Sequence, residues 1–281
     1  MGSLAPPPPS FIYGILLSLI TYPPLYYIIS PLLLSKFATP SLKDKVSKYD
    51  NAKLYQFHSM LPSVVHAFAH IVGVATVVIL GREGFDQEGE RPSVVDFDER
   101  TFVPYGLTPL GPTVYMGIFV GYLLADMIAS PSLKVLGYEF AFHHLAASAA
   151  WTYCATYKTM QPLACFLQFN ELSTPLLHLR QLLLFSGFTS KDTSLTVVNL
   201  IFFVVFGLIR FVPLPWIVYN WINTDYTAIK NEVGAGGAVA LSLFVAAHVG
   251  LQGTWFFTMC GKLVVMAKRA FPSTTQHSKE K

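Results

Sequence analysis

Charged and polar side chains interrupt an otherwise apolar stretch between Met160 and Phe185. An amide, an acid and a basic residue lie inside it, namely Asn170, Glu171 and Arg180. An ionisable side chain at the centre of a transmembrane helix costs about 2.5–3.5 kcal/mol on insertion scales, so such residues usually face an interior cavity. Their position favours a functional site, although Asn, Ser and Thr side chains also serve simply to join neighbouring membrane helices.

The composition predicts a membrane protein. Hydrophobic residues make up 53% of the 281-residue chain, whereas charged residues make up 12%. Apolar runs of this number and length are typical of membrane-spanning helices. We therefore predict an all-α, polytopic transmembrane bundle of about seven helices, at residues 11–35, 54–80, 113–130, 138–157, 160–186, 195–222 and 233–267.

The distribution of charge predicts the domain organisation and the orientation in the membrane. Residues 1–53 read as an N-terminal signal-anchor helix followed by a lysine-rich connection, 54–268 as the main domain and 269–281 as a basic tail. The acidic segment 81–112 is the longest hydrophilic stretch. Because cytosolic loops carry an excess of Lys and Arg, we expect the N-terminus outside and the C-terminus in the cytosol.

Polar residues inside the predicted helices recur at helical spacing, and so share one face of each helix. Six helices carrying such stripes predict a wet or ligand-filled interior, which should be reachable from the cytosolic side. Arg210 should pair inside the bundle with an acid or with an anionic lipid group. The stripes include Ser59–Ser63–His66–His70, Tyr115–Tyr122–Asp126, His144–Ser148–Trp151, Glu171–Thr174–His178, Asn199–Arg210 and His248–Gln252–Trp255–Lys262.

Three kinds of activity fit such a cavity. In acyl transfer, an imidazole takes the proton of an amine or hydroxyl, or attacks a thioester itself, while an acid orients it. In a di-iron lipid oxidase, His66 and His70 would be two metal ligands on one helical face, but the further histidine boxes of such enzymes are missing. The third activity is non-catalytic binding of a lipid or cargo protein. The sequence contains no nucleophile elbow, phosphate loop or nucleic-acid motif.

Several motifs occur in the order found in a known family. They are Ser59-x6-His66, Gly121-Tyr122-x3-Asp126, His143-His144 and Asn170-Glu171-x-Ser173-Thr174-Pro175 followed by Arg180. Together they resemble the TLC domain, which is shared by translocon-associated TRAM proteins, ceramide synthases and the ceroid-lipofuscinosis membrane protein. The resemblance extends over residues 54–268, and the spacing from the His pair to Asn170 matches that of ceramide synthases.

The sequence departs from the ceramide synthases within their second motif. The family's histidine is replaced by Asn170, its first aspartate by Glu171 and its last by Thr174, while Ala147 stands where a threonine is expected. The chain is therefore similar to the small TLC-domain proteins outside the ceramide synthases. That resemblance implies a location in the endoplasmic reticulum and a role in membrane lipid homeostasis. It makes a ceramide synthase a less favoured reading.

These observations lead to a predicted site for acyl-CoA-dependent acylation of a lipid. The alternative is a non-catalytic lipid-binding, lipid-sensing or cargo protein of the endoplasmic reticulum. The expected partners are membrane lipids and acyl chains, with a homodimer as a further alternative, and neither a nucleic acid nor a metal is expected. The predicted catalytic residues are His143, His144, Asp126 and Glu171, and the predicted substrate-binding residues are Ser59, His66, Tyr122, Asn170, Ser173, Thr174, Arg180, Arg210, His248 and Trp255.

Overall fold

The computed structural model describes residues 6–85, 112–157 and 161–270, and all secondary structure in these residues is helical. Helices occur at each of the predicted spans, so the predicted all-α bundle is confirmed. In chain order they are α1 (Pro9–Phe37), α2 (Pro40–Ser47), α3 (Asn51–His58), α4 (Met60–Phe85), α5 (Pro112–Ala129), α6 (Leu133–Leu136), α7 (Tyr138–Tyr157), α8 (Gln161–Leu167), α9 (Thr174–Ser186), α10 (Thr193–Ile222) and α11 (Tyr226–Ala270).

Three of the described helical segments are long and apolar enough to cross a membrane, namely Pro9–Phe37, Thr193–Ile222 and Val233–Val265. A shorter apolar helix covers Thr113–Ala129. Of the remaining helices, α4, α7 and α9 carry histidines or charged residues, which lower their mean hydropathy, and α8 and α9 are short. Several spans remain, and the chain is a multi-pass membrane protein.

The closest helix pair is α1 with α5, which touch through glycines. Gly117 and Gly121 are four residues apart and form one small-residue face on α5, with Gly14 of α1 opposite Gly117 and Ser18 of α1 opposite Gly121. A Cβ atom at Gly117 would collide with the backbone carbonyl of Phe11, and one at Gly14 with that of Val114. Small residues of this kind let membrane helices approach closely enough for backbone contact.

Four irregular turns interrupt the long helices. A π-turn at Leu25–Ile29 directly follows Pro24, and proline disturbs the regular hydrogen bonding of a helix. A 3-10 turn at Gln168–Ser173 joins α8 to α9, and a π-turn at Gly207–Phe211 lies within α10. In α11 the helix breaks at Gly234, which has a φ of 74°. Two of these turns, at 168–173 and 207–211, position side chains of the candidate site.

The lysine-rich segment 36–53 packs against the end of α9. Lys45 Nζ donates a hydrogen bond of 2.8 Å to the carbonyl oxygen of Ser186. The ring centroids of Tyr49 and Phe185 are 5.4 Å apart, and burial raises the pKa of the Tyr49 hydroxyl. This segment, the 131–137 turn and the 187–192 turn lie at one end of the bundle, which we call the basic face.

Several predictions concern residues that the structure does not describe. Most of the acidic segment 81–112 and the tail from 271 onward lie outside the described residues. The domain limits at 53/54 and 268/269, like the orientation in the membrane, stay predictions.

Candidate functional site

A cavity of about 970 Å³ lies among α3, α4, α5, α7, α9, α10 and α11, at the ends of these helices nearest the basic face. Its volume falls within the range of ligand-binding sites, about 300–1,000 Å³. The exposed residues Lys53 and Lys262 contribute to its wall, so the cavity reaches the protein surface. The predicted site residues on the wall are Ser59, Tyr122, Asp126, His143, His144, Glu171, Ser173, Thr174, Arg180, Arg210 and Trp255.

A buried hydrogen-bonded group joins α3, α5 and α7 on one side of this cavity. Asp126 Oδ1 accepts a hydrogen bond of 2.8 Å from the Tyr55 hydroxyl, and Asp126 Oδ2 lies 3.0 Å from His144 Nε2. His144 Nδ1 lies 2.8 Å from the carbonyl oxygen of Phe140. Of the two acids among the predicted catalytic residues, Asp126 and Glu171, it is Asp126 that bonds His144.

The partners of His144 determine where its protons are. A carbonyl oxygen can only accept, so Nδ1 must donate to Phe140. A carboxylate oxygen and a bare imidazole nitrogen would both be acceptors, so the 3.0 Å contact between Asp126 Oδ2 and His144 Nε2 must contain a proton. Wherever that proton resides, His144 Nε2 has no lone pair available for a substrate. The His144–Asp126 pair is therefore a positioned, proton-sharing unit.

His143 has the opposite character. It lines the main cavity, is half-buried, and makes no hydrogen bond with any described residue. Its ring contacts are with His144, at a centroid distance of 5.8 Å, and with Trp255, at 5.5 Å. Trp255 is fixed in turn by a 3.3 Å hydrogen bond from Nε1 to Glu139. A neutral imidazole in this position presents a free nitrogen to a bound ligand.

Arg210 lies deep in the cavity and is held by the 168–173 turn. Its Nε donates to the carbonyl oxygen of Asn170 at 3.0 Å and to the Ser173 hydroxyl at 2.8 Å. Its guanidinium lies 5.3 Å from the centre of the Phe206 ring, and the side chain is 9% exposed. The ion pair expected between Arg210 and Glu171 or Asp126 is not formed among the described residues, because no carboxylate oxygen lies within 4.0 Å of it.

Glu171 faces the same space from the 3-10 turn. Its Oε2 accepts a hydrogen bond of 2.7 Å from the Thr174 hydroxyl. Thr174 therefore orients the carboxylate instead of supplying one. Glu171 and Arg210 both line the main cavity and a smaller neighbouring one. Opposite charges share this space without direct contact.

Two further polar pairs stabilise the cavity wall. Arg180 Nε donates to Asn199 Oδ1 at 2.7 Å, which joins α9 to α10. His178 Nε2 lies 2.7 Å from the Ser63 hydroxyl, which joins α9 to α4. The His178–Ser63 contact connects residues of two predicted stripes on different helices.

A small cavity of about 40 Å³ lies behind His143, Glu171 and Arg210. Asn170 and His248, two of the predicted substrate-binding residues, line this chamber but not the main cavity. The buried atoms His248 Nε2, Gln252 Oε1 and Trp151 Nε1 have no hydrogen-bond partner among the described residues. A chamber of this size has room for ordered water and for no larger group.

His66 is the predicted site residue that the structure places on neither cavity. It is fully buried, stacks on Tyr122 at a centroid distance of 3.8 Å, and lies 3.3 Å from the Tyr22 hydroxyl. His70, also fully buried, bonds Gln168 at 2.8 Å. His66 thus packs in the core instead of facing a ligand. In the described part of the chain, His, Cys, Asp and Glu side chains form no group of three that could hold a metal ion.

The sequence did not single out Tyr55, although this residue bonds the central carboxylate. Tyr55 lies one helical turn before Ser59 and continues the Ser59–Ser63 stripe, so helical spacing could have found it. Helical spacing also places Phe203 and Phe206, which contribute to the aromatic part of the wall, on the face that Asn199 and Arg210 share.

The fold and the cavity define a class: a polytopic helical membrane protein with a ligand-sized cavity, lined by polar and aromatic side chains, near one end of the bundle. The sequence profile of the TLC domain matches residues 97–261, which is more than half of the chain. The protein belongs to the TLC-domain family, which is linked in general to lipid metabolism and lipid sensing. No curated protein matches the chain.

Proposed function

We propose that this protein acts on acyl lipids in the endoplasmic reticulum membrane, in membrane lipid homeostasis, by transferring an acyl group from acyl-CoA to a lipid. The free imidazole of His143 carries the proposal, because it faces a ligand-sized cavity beside the His144–Asp126 pair. A positioned general base of this kind contributes typically about 10²–10⁴-fold to a rate.

In the proposed reaction, His143 takes the proton of the acceptor hydroxyl or amine while that oxygen or nitrogen bonds to the thioester carbonyl carbon. The tetrahedral adduct then collapses, the carbon–sulfur bond breaks, and the imidazolium returns its proton to the leaving thiolate. The products are an ester or amide and a free thiol. Because His144 Nε2 is already engaged, the His144–Asp126 pair and Tyr55 serve to hold α7 and α5 in register around His143.

The acceptor we favour is not a sphingoid base. Thr174 and Asn170 stand where ceramide synthases carry a charged or titratable side chain, and Thr174 is occupied in bonding Glu171. A threonine cannot supply a carboxylate's charge. Acylation of another acceptor, such as a glycerophospholipid, is consistent with this arrangement.

The test uses the purified full chain in lipid nanodiscs with isotope-labelled acyl-CoA and a glycerophospholipid. We expect labelled product from the wild type and at least a 100-fold lower rate from His143→Ala, since a general base is lost. His58→Ala is the matched control, because His58 is buried, bonds Ser30 at 2.9 Å and lies off the cavity wall. Equal rates in the wild type and His143→Ala would contradict the assignment.

A second candidate is a lipid-binding or sensing protein without turnover. The observation in its favour is that Asp126 orients His144, whereas no carboxylate bonds His143 among the described residues. Under this proposal the wild type retains acyl lipid during purification but forms no labelled product. Mass spectrometry of the co-purified lipid, run beside the nanodisc assay, separates the two.

A further inference from the structure

The buried guanidinium of Arg210 has donor groups that the protein does not use. Nε is bonded to Asn170 and Ser173, but the two Nη groups make no hydrogen bond to any residue that the structure describes. These Nη groups are not among the fully enclosed polar atoms, so they are open to the cavities that Arg210 lines. The two Nη groups, which carry four N–H donors between them, therefore have access to these cavities.

The side chain is also fixed in place. The π-turn at Gly207–Phe211 carries Arg210, Phe206 lies beneath the guanidinium, and two acceptors hold Nε. Turns of this type within α-helices occur frequently at functional sites. An arginine whose fork is held in this way loses little conformational freedom when it binds a planar or tetrahedral oxyanion in two-pronged fashion.

The charge of Arg210 needs compensation. Removing a cation from water is costly unless it is paired. Asp126 is engaged by Tyr55 and His144, and Glu171 does not come within ion-pair distance. The protein thus holds a nine-tenths buried cation whose nearest acid is bonded to Thr174 instead.

We infer that Arg210 binds the oxyanion of an acyl amphiphile, a carboxylate or a phosphate, at the inner end of the main cavity. This inference rests on the proposed acyl-lipid function and specifies the polar group of the ligand. The chamber behind Arg210, at about 40 Å³, is too small for an acyl chain, so the chain must extend the other way. It would lie along Phe202, Phe203 and Phe206 toward the basic face.

The test compares ligands of matched chain length that do or do not carry an anionic group. Palmitate is paired with palmityl alcohol, and lysophosphatidic acid with monoacylglycerol, and binding to the full chain in detergent is measured by native mass spectrometry. Charge-assisted hydrogen bonds predict that the wild type prefers a charged member about 10- to 100-fold. The palmitate pair reports a carboxylate ligand, and the lysophosphatidic acid pair reports a phosphate ligand.

The variants assign the preference to one residue. Arg210→Gln should remove it while leaving the uncharged ligand bound as before. Lys53→Gln is the matched control, because Lys53 is an exposed cation on the wall of the same cavity, and it should keep the preference. If Arg210→Gln does not fold, Arg210→Lys, which keeps the charge but not the fork, should reduce the preference several-fold.

Each outcome decides. Equal binding of charged and uncharged ligands by the wild type overturns the oxyanion site, because the nearby Glu171 would then compensate the charge of Arg210 by itself. The proposed acyl-lipid function would be unaffected by that result. Loss of the preference in Lys53→Gln, with Arg210→Gln unchanged, overturns the assignment to Arg210 and places the anion at the cavity mouth. If neither member of either pair binds, the proposed acyl-lipid function fails together with this inference.

Discussion

Two parts of the bundle use polar residues in opposite ways. Around the α1–α5 crossing, helices touch backbone to backbone, and His66 and His70 are fully buried against aromatic rings. Between α7, α9, α10 and α11, the helices stand apart around a cavity of about 970 Å³ that includes His143, Glu171 and Arg210. We call these the packed half and the cavity half.

The difference shows that a polar stripe on a membrane helix is not by itself a ligand site. The Ser59–Ser63–His66–His70 stripe of α4 enters both halves, with its first two members on the cavity and its last two in the core. The stability of the packed half depends on side-chain volume, because its imidazoles are packed closely among aromatic rings. The stability of the cavity half depends on hydrogen bonds, because its side chains border open space on one side and make fewer packing contacts.

The largest expected effect comes from comparing one histidine-to-alanine substitution in each half. His66→Ala removes a fully buried ring that stacks on Tyr122, and should lower the free energy of unfolding by about 2–5 kcal/mol. His143→Ala removes a half-buried ring at the cavity and should cost about 1 kcal/mol or less. Denaturant unfolding in detergent measures both, and equal losses would erase the distinction.

For the second effect, loss of a tyrosine hydroxyl, the larger loss of stability is expected in the cavity half. Tyr55→Phe removes a 2.8 Å donor to the Asp126 carboxylate and should cost about 1.5–3 kcal/mol. Tyr22→Phe removes a longer contact, 3.3 Å from His66 Nδ1, and should cost about 0.5–1.5 kcal/mol. The same unfolding assay applies. A larger loss for Tyr22→Phe would show that hydrogen bonds matter more in the packed half.

Glycine substitution should give effects of opposite sign. Gly117→Ala forces α1 and α5 apart, because its Cβ meets the Phe11 carbonyl, and should destabilise by about 1–3 kcal/mol. Gly250 on α11 has open space around its Cα, so Gly250→Ala should stabilise by about 0.5–1 kcal/mol through helix propensity. Thermal melting of both variants provides the comparison, and a shared sign would mean that α11 is packed as closely as α5.

The smallest effect concerns the water-exposed turn at the basic face, outside both halves. The Thr189 backbone N–H and hydroxyl, at 2.6 and 3.0 Å from Asp192 Oδ2, hold the pKa of that carboxyl below its ordinary value. A lowered folded-state pKa gives stability that is present above the unfolded-state pKa and lost as pH falls through the folded-state pKa. The melting-temperature difference between wild type and Asp192→Asn should therefore shrink in acid. An unchanged difference would show that these bonds do not favour the ionised form.

The sequence by itself determined the class of the molecule and most of its site. Long apolar runs can only be membrane helices, because unpaired backbone groups are not tolerated in lipid. Charges inside those runs must face inward, which is why Asp126, Glu171 and Arg210 could be assigned to an interior cavity before any contact was known. Helical spacing then placed Glu171 and Thr174 on one face, and the structure joins them by a hydrogen bond of 2.7 Å.

Only the tertiary structure decided which inward residues meet. Spacing along one helix fixes a face but not the neighbour opposite that face, so it left Asp126 and Glu171 as equal partners for the His pair. The approach of α5 to α7 gives His144 to Asp126 and leaves His143 open. The irregular turns at 168–173 and 207–211 set Arg210 against Asn170 and Ser173 instead of an acid, because they rotate these backbones away from regular helical register.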